Sequence, residues 1–128
     1  FEGTMAQFKH LNTVKWLGRL EDDQLEQLYR GALAFCMPSA MEGFGIPVVE
    51  AMQCGTPVMA SNNSALTEVV GDAGMLLRTF DVAAWADGLE AMAEGGGNWS
   101  KKGLIRGGQF TWSASAAGWL EVLKSGSE

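Results

Sequence analysis

Short apolar runs alternate with longer amphipathic segments through the first part of the chain. A parallel strand is covered on both faces and is therefore apolar throughout, so each short run predicts a buried strand. The intervening segments repeat apolar residues at helical spacing and predict helices. Strands are predicted at 14–18, 34–37 and 57–60. A short helix is predicted at 65–70, and a further apolar run follows at 75–77.

Local signals give the boundaries of the first two helices. Asp22 or Asp23 can cap the first, because a side-chain oxygen there can accept from the free N–H groups of the first turn. Its apolar positions are Leu25, Leu28, Tyr29 and Ala32. The second helix covers 46–54, with Pro47 in its first turn and Gly55 just beyond its end.

From residue 82 onward the pattern predicts helices only. The first covers 82–93, the second starts at Asn98 or Ser100 after a glycine run, and the last covers 111–123. The predicted buried stripes are Trp85, Leu89 and Met92 in the first and Trp112, Ala116, Trp119 and Leu123 in the last. Together the elements predict an α/β domain, a Rossmann-like doubly wound parallel sheet closing with C-terminal helices. Few strands are predicted for such a sheet, so we expect it to lack strands on its N-terminal side.

The composition narrows the class of protein. A length of 128 residues fits one domain. The net charge of −6 argues against a nucleic-acid or anionic-membrane partner, since both require clustered Lys and Arg. No apolar run is long enough to span a membrane, and we expect a cytoplasmic protein whose membrane docking, if any, uses other segments. Lys101, Lys102 and Arg106 form the one local basic cluster, so backbone groups or residues outside this chain would have to bind a phosphate.

The usual metal-binding residues predict no metal site. Cys36 and Cys54 lack metal-ligand spacing and are predicted to be reduced core cysteines of a cytosolic protein. His10 is the single histidine, which excludes a histidine-based triad or zinc site from this chain, and we interpret it as a surface residue. The acidic run 21–23 is interpreted as a helix cap rather than as a set of metal ligands.

The segment 38–74 contains the candidate chemistry. A strand ends at Pro38, and a loop with Gly43 and Gly45 leads into the second helix. The loop therefore lies at the carboxyl end of a parallel strand, where open α/β sheets bind their ligands. Free N–H groups and the dipole at a helix N-terminus favour an anion such as a phosphate, and glycine lets it approach the backbone.

Two carboxylates bracket this predicted anion site. Glu42 lies on the loop and Glu50 in the first turn of the helix. A carboxylate can accept two hydrogen bonds from a vicinal diol, so the pair suits a ligand with sugars on both sides of a diphosphate, which is a nucleotide-sugar. On spacing alone a plain structural interpretation stays open, in which Glu50 favours the helix dipole, Glu42 is a solvated loop residue and the glycines make a turn.

The same segment also resembles a known family. GFGIPVV separates the two glutamates, EAMQCGTPVMAS starts at the second, and TEVVGDAG follows. This pattern, a glutamate followed after seven residues by another, resembles the signature of the family 4 glycosyltransferases, which have the two-domain GT-B fold. The resemblance covers roughly 14–123 and is most specific around Glu42 and Glu50.

The resemblance implies roles for the residues of the signature. Glu42 would contact the transferred sugar and support a reaction that retains the anomeric configuration. Glu50 would bind the ribose hydroxyls of the nucleotide. The donor's sugar hydroxyls and phosphates would be held by the backbone of Gly43, Phe44 and Gly45, with Ile46 beside them. Ser39 is a further donor-binding candidate, although it could equally shape the loop, and Asn62, Asn63 and Ser64 could contact the donor or form a turn.

The resemblance also implies the partners and the domain organisation. The donor would be a UDP-, GDP- or ADP-sugar, and no cofactor or metal ion would be needed. Residues 1–128 would form part of the donor-binding domain, with the N-terminal acceptor domain absent from this chain. The family's Arg and Lys that neutralise the diphosphate have no counterpart here, so we expect the isolated chain to be inactive.

Three rival interpretations accompany this hypothesis. The first is a non-catalytic module that binds nucleotide-sugars. The second is another GT-B enzyme, either a sugar-nucleotide epimerase, whose catalytic acids we do not find, or a phosphorylase, which would carry pyridoxal phosphate on a lysine. The third is a structural or interaction domain, which would need neither the glutamate pair nor the glycine loop.

Overall fold

The computed structural model describes residues 13–95 and 98–125. Strands and helices alternate up to residue 93, and two helices follow. In chain order the elements are α1 (Asp22–Gly31), β1 (Phe35–Met37), α2 (Ile46–Gln53), β2 (Val58–Ser61), α3 (Ser64–Val70), β3 (Met75–Leu77), α4 (Val82–Ala93), α5 (Trp99–Gly107) and α6 (Trp112–Ser125).

In the described part of the chain, three parallel strands form one sheet in the order β1-β2-β3. Phe35 is in register with Val58, and Met59 with Met75. Every residue of the central strand β2 is buried. A strand with both faces covered is typical of a doubly wound sheet, so the predicted α/β fold class is confirmed.

Alternate residues of β2 face different helices. Val58 and Ala60 belong to the core cluster that also contains Val48 and Met52 of α2 and Leu66, Val69 and Val70 of α3. On the other face α4 comes so close at Gly88 that an added Cβ would lie 2.6 Å from Cε of Met59. Burying a side chain of this size contributes about 1.5–3 kcal/mol. Helices therefore cover both faces of β2.

The start of α1 differs in detail from the prediction. The N-cap is Glu21 rather than Asp22 or Asp23, and its backbone N–H donates to Oε1 of Gln24 at 3.1 Å. Asp22 and Asp23 lie in the first turn, where their negative charge favours the helix dipole. The acidic run therefore has the structural role that was predicted, although the cap lies one residue earlier.

The bounds of α2 follow the prediction closely, because its sequence contains strong start and stop signals. Pro47 lies in the first turn and Gly55 follows the helix with a φ of +78°. The helix α5 packs on α2, and the side chain of Gln53 secures the contact. Its Nε2 donates to the carbonyl oxygens of Gly107 at 3.0 Å and Phe110 at 3.2 Å. Asn98 is the N-cap residue of α5, which agrees with one of the two starts predicted for this helix.

The predicted strand at 14–18 is wrong. The sheet formed by the described residues does not include this segment, and Trp16 is 64 % exposed. A short apolar run forms a strand only if a neighbouring strand pairs with it. Among the described strands, β1 pairs with β2 alone and not with the segment 14–18.

The predicted buried stripe of the last helix is also wrong. None of the residues of α6 is buried, and Trp112 and Trp119 are 91 % and 69 % exposed. The stripe on α4 is only partly correct, since Met92 is buried, Trp85 is half-buried and Leu89 is exposed. Apolar periodicity identifies the helices but not whether another element covers them.

The prediction of two core cysteines also needs correction. Both are free cysteines, but Cys36 is exposed and Cys54 is half-buried. Side chains alternate between the faces of a strand, so Cys36 faces away from the core against which Phe35 and Met37 pack. The predicted surface residue His10 lies outside the described residues.

Candidate functional site

The glycine loop connects the carboxyl end of β1 to α2, where the sequence predicted an anion site. Gly45 is the N-cap of α2 and has a φ of +95°. A Cβ added there would lie 2.6 Å from Cδ2 of Leu66, so both the backbone angle and the packing require glycine. Its carbonyl oxygen accepts from the N–H of Val48 at 3.0 Å. Pro47 has no N–H, and the N–H of Val49 also bonds to Gly45, at 3.4 Å. The N–H of Ile46 is therefore the first-turn donor that no carbonyl of the helix can accept from.

The other loop residues are accessible from solvent. Gly43 is exposed, and nothing lies within 4 Å of a Cβ added there. Phe44 and Ile46 are 45 % and 59 % exposed. The ring of Phe44 meets that of Phe110 edge to face, with centroids 5.7 Å apart. The loop thus offers backbone groups and partly apolar side chains at the carboxyl edge of the sheet.

Glu42 is half-buried and is positioned through its backbone. Its N–H donates to Oγ of Ser64 at 3.1 Å, and that hydroxyl donates to Oδ1 of Asn63 at 3.1 Å. Ser64 has a φ of +43°, a left-handed conformation that is strained for a residue with a side chain. Among the described residues, none forms a hydrogen bond or an ion pair with the Glu42 carboxylate. The carboxylate is therefore available to a ligand.

Ser39 is tied to the neighbouring strands. Nδ2 of Asn63 donates to the carbonyl oxygen of Ser39 at 2.9 Å and to Oγ1 of Thr79 at 2.8 Å. These bonds join the segments that follow β1, β2 and β3. Of the two roles predicted for Ser39, shaping the loop has this direct structural basis, and donor contact stays a prediction.

The helix α2 starts at Ile46, as predicted, but Glu50 follows the first four helical residues and so lies in the second turn rather than in the first. The hydroxyl of Tyr29 in α1 donates to Oε2 of Glu50 at 3.2 Å. Tyr29 is only 7 % exposed. Burial, together with the negative charge of Glu50, raises the pKa of Tyr29 to about 12. The phenol is therefore protonated at neutral pH and acts as a donor.

Glu50 opens into a groove of about 290 Å³ between α1 and α2. Within the groove Arg30 is paired with Glu26 at 2.7 Å. Glu42 is not among the residues that line it, so the two glutamates lie in different surroundings. The groove is lined by Asp22, Leu25, Glu26, Tyr29, Arg30, Glu50, Gln53 and Cys54.

A second, more open hollow of about 650 Å³ lies at the carboxyl ends of the strands. It is lined by Ala40, Asn62, Asn63, Arg78, Thr79, Phe80, Asp81 and Val82. The two asparagines were predicted from the sequence as possible donor contacts, whereas the segment after β3 was not predicted. The signal that could have found it is position, because residues that follow parallel strands meet at one edge.

Two side chains of the basic cluster predicted from the sequence bind residues in and after α3. Nζ of Lys102 pairs with Asp72 at 3.3 Å. Arg106 donates from Nε to the carbonyl oxygen of Val69 at 3.0 Å and from Nη2 to that of Glu68 at 2.6 Å. Both side chains thus fasten α5 to α3 and the turn after it.

The described residues contain neither a cluster of metal ligands nor a membrane-spanning helix. Across 13–95 and 98–125, no three His, Cys, Asp or Glu side chains are grouped so that they could hold a metal ion. No helix in that part of the chain is long and apolar enough to cross a membrane.

Comparison with known structures agrees with this fold. The chain superimposes on sucrose-phosphate synthase from Thermosynechococcus elongatus with a TM-score of 0.81 and 27% sequence identity, over 99% of this chain and 34% of that one. That protein has a GT-B fold, so the domain is of the GT-B type.

The sequence comparisons identify the family. The model of the "Glycosyl transferases group 1" family matches residues 2–102, a range that includes the glycine loop and both glutamates. This chain therefore belongs to the group 1 glycosyltransferases. It is 41% identical to O-antigen chain mannosyltransferase B of Escherichia coli over 104 residues, 77% of this chain and 27% of that protein. It is 35% identical to D-inositol 3-phosphate glycosyltransferase of Mycobacteroides abscessus over 97 residues, 73% of this chain and 22% of that protein.

The chain matches only part of the length of these relatives. The chain spans about a quarter of the length of the curated relatives it matches. The matched part contains the sheet and the glycine loop, whereas α6 lies beyond the residues that the family model covers.

Proposed function

We propose that this chain is the donor-binding part of a retaining glycosyltransferase. The full-length protein would move a hexose from a UDP-, GDP- or ADP-sugar to an acceptor hydroxyl. The observation that carries the proposal is the glycine-capped start of α2 at the carboxyl end of β1, next to a half-buried carboxylate that has no partner in the described residues. Membership of the family supports the general reaction, which is glycosyl transfer.

The glycine loop is proposed to bind the diphosphate and the sugar of the donor. Gly43 leaves its backbone open to a ligand, and the helix start at Gly45 and Ile46 favours negative charge. Phe44 and Ile46 are exposed beside it and would contact the sugar. Ser39 would support the same loop through its bond with Asn63.

Glu42 is proposed to act at the sugar that is transferred. Its backbone is held by Ser64, and its carboxylate is available. A fixed negative charge near the anomeric carbon stabilises the positive charge that develops there as the diphosphate leaves. Electrostatic support of this kind requires neither a metal ion nor a cofactor, and we propose a reaction without them.

Glu50 is proposed to bind the ribose of the nucleotide. The two oxygens of a carboxylate accept hydrogen bonds from the vicinal hydroxyls of a ribose. The groove of about 290 Å³ in which it lies has the space for part of a nucleoside.

Other parts of the full-length protein are proposed to complete the site. Lys102 and Arg106 fasten α5 and are not available to the leaving diphosphate. We propose that the positive charge that neutralises it comes from other segments of the full-length protein. An acceptor domain, preceding these residues, would position the acceptor hydroxyl in the cytoplasm. One relative is named a mannosyltransferase, which makes a mannose donor the first to test.

The experiment that tests the proposal is a transfer assay with the full-length protein. UDP-, GDP- and ADP-sugars, beginning with a mannose donor, are incubated with a panel of acceptors, and the anomeric configuration of the product is read by NMR. We expect one donor to support transfer with retention of configuration. Transfer with inversion would contradict the mechanism. Nucleotide binding without any transfer would favour the alternative, a binding module.

A further inference from the structure

Tyr29 is anchored at three points in the wall of the groove that contains Glu50. Its carbonyl oxygen accepts from Oγ1 of Thr56 at 2.6 Å, in a buried position. Its ring meets the ring of Phe35 edge to face, with centroids 5.4 Å apart. Its hydroxyl is the third point and donates to Glu50. The backbone and the ring thus fix the position from which the hydroxyl reaches the carboxylate.

The ring and the hydroxyl of Tyr29 have separate functions in this arrangement. The ring packs in the core with residues of α2 and β1, which a phenylalanine would do as well. The hydroxyl contributes a hydrogen bond to a side chain 21 residues later in the chain. Packing alone does not require this hydroxyl, and a buried hydroxyl is retained at low cost only where it finds a partner.

We propose that Tyr29 is a positioning residue for Glu50, whose carboxylate it holds in the orientation that accepts the ribose hydroxyls of a nucleotide. The inference rests on the ribose-binding role of Glu50 proposed above. The hydrogen bond occupies one lone pair of Oε2, and the remaining lone pairs of both oxygens stay available to the vicinal diol.

The benefit to binding is pre-organisation. A glutamate side chain has several rotamers, and binding a ligand to one of them carries an entropic cost. The Tyr29 hydroxyl selects one rotamer before the ligand arrives. The pKa of Tyr29 is raised to about 12, so the hydroxyl keeps its proton and can donate at neutral pH.

The test compares Tyr29→Phe with the wild type in the full-length protein. Calorimetry first selects the tightest binder among UDP, GDP and ADP, and then compares it with its 2′,3′-dideoxy analogue. We expect Tyr29→Phe to raise the Kd of the ribonucleotide about 3- to 10-fold, which is the effect of one hydrogen bond, and to leave the Kd of the dideoxy analogue unchanged.

Glu50→Ala provides the control that separates the inference from the proposed function. In the Glu50→Ala background, Tyr29→Phe should have no further effect on the Kd of the ribonucleotide. Equal weakening of both nucleotides by Tyr29→Phe would mean a merely structural role and would overturn the inference. So would an unchanged Kd in Tyr29→Phe when Glu50→Ala alone weakens binding. A Glu50→Ala variant that binds as tightly as the wild type would instead overturn the ribose-binding role itself.

Discussion

The two glutamates of the candidate site are positioned in opposite ways. Glu42 lies on a loop, where Ser64 holds its backbone N–H and, among the described residues, its carboxylate has no partner. Glu50 lies on a regular helix, where Tyr29 holds its carboxylate. Hydrogen bonding thus positions the backbone of Glu42 but not its carboxylate. For Glu50 it positions the carboxylate itself.

The backbone around the two residues differs in the same way. Gly45 in the loop and Ser64, the residue of α3 that accepts from the Glu42 N–H, have positive φ angles of +95° and +43°. Such strain is retained where the surrounding structure over-determines it, and it often accompanies a functional site. Glu50 needs no unusual backbone angle. The loop should therefore be sensitive to changes that affect its backbone, and Glu50 to changes in side-chain chemistry.

The largest expected effect follows from removing the charge of Glu42. In the full-length enzyme Glu42→Gln keeps the size of the side chain, and we expect kcat to fall about 100- to 1000-fold because electrostatic support of the transition state is lost. Steady-state kinetics with the best donor measures this. A kcat within about 3-fold of the wild type would mean that Glu42 is not the catalytic member of the pair.

The dependence of the loop on its backbone can be tested at Gly45. Gly45→Ala adds a Cβ 2.6 Å from Leu66 at a φ of +95°, and we expect the free energy of unfolding to fall by about 2–4 kcal/mol. Gly43→Ala is the matched control, since nothing lies within 4 Å of the added Cβ. Urea unfolding compares the two variants. If they lose the same stability, the loop is not held by the contacts described.

The side-chain bond at Glu50 can be tested through pH. The pKa of Tyr29 is about 12 in the folded protein and about 10 in the unfolded chain. Its contribution to stability is complete below pH 10 and is lost as the pH rises to 12, since the unfolded state releases the proton first. We expect the wild type to lose about 1–2 kcal/mol relative to Tyr29→Phe over this range. Parallel stability curves from urea unfolding would contradict the raised pKa of Tyr29, to which burial contributes most and Glu50 next.

The smallest expected effect concerns Ser64. Ser64→Ala removes the acceptor for the N–H of Glu42 but keeps the strained backbone, so we expect a loss of about 1 kcal/mol. Ser64→Gly loses the same bond but relieves the strain, and should be more stable than Ser64→Ala by about 0.5–1 kcal/mol. Thermal unfolding would show the difference. Equal stabilities would argue that the backbone at Ser64 is not strained.

Much of the fold could be predicted from the sequence, because its signals are local. Pro47 and Gly55 mark the start and end of α2, and continuous apolar residues mark β2. The errors concern contacts with other elements. A strand at 14–18 needs a pairing partner, and a buried stripe on α6 needs a covering surface, and neither requirement is visible in periodicity.

In the candidate site, too, residues that are close in sequence could be predicted and their distant partners could not. The residues from Glu42 to Ile46, and Glu50, could be predicted as candidates because they are close in sequence and form a recognisable pattern. Tyr29 and Ser64 act on these glutamates across 21 and 22 residues. The helical spacing assigned Tyr29 only to an apolar face, and no local rule predicts a strained serine as an acceptor. Such partners follow from the packing of α1 and α3 against the loop and α2.

The most direct test of the central claim is calorimetric titration of the full-length protein with the nucleoside diphosphate that binds it most tightly. The claim is that Glu50 binds the nucleotide and Glu42 serves the transferred sugar. We predict that Glu50→Ala raises the Kd about 10- to 100-fold, as expected for hydrogen bonds to a charged group, and that Glu42→Ala changes it less than about 2-fold. An unchanged Kd in Glu50→Ala, or equal losses in both variants, would contradict this division of roles.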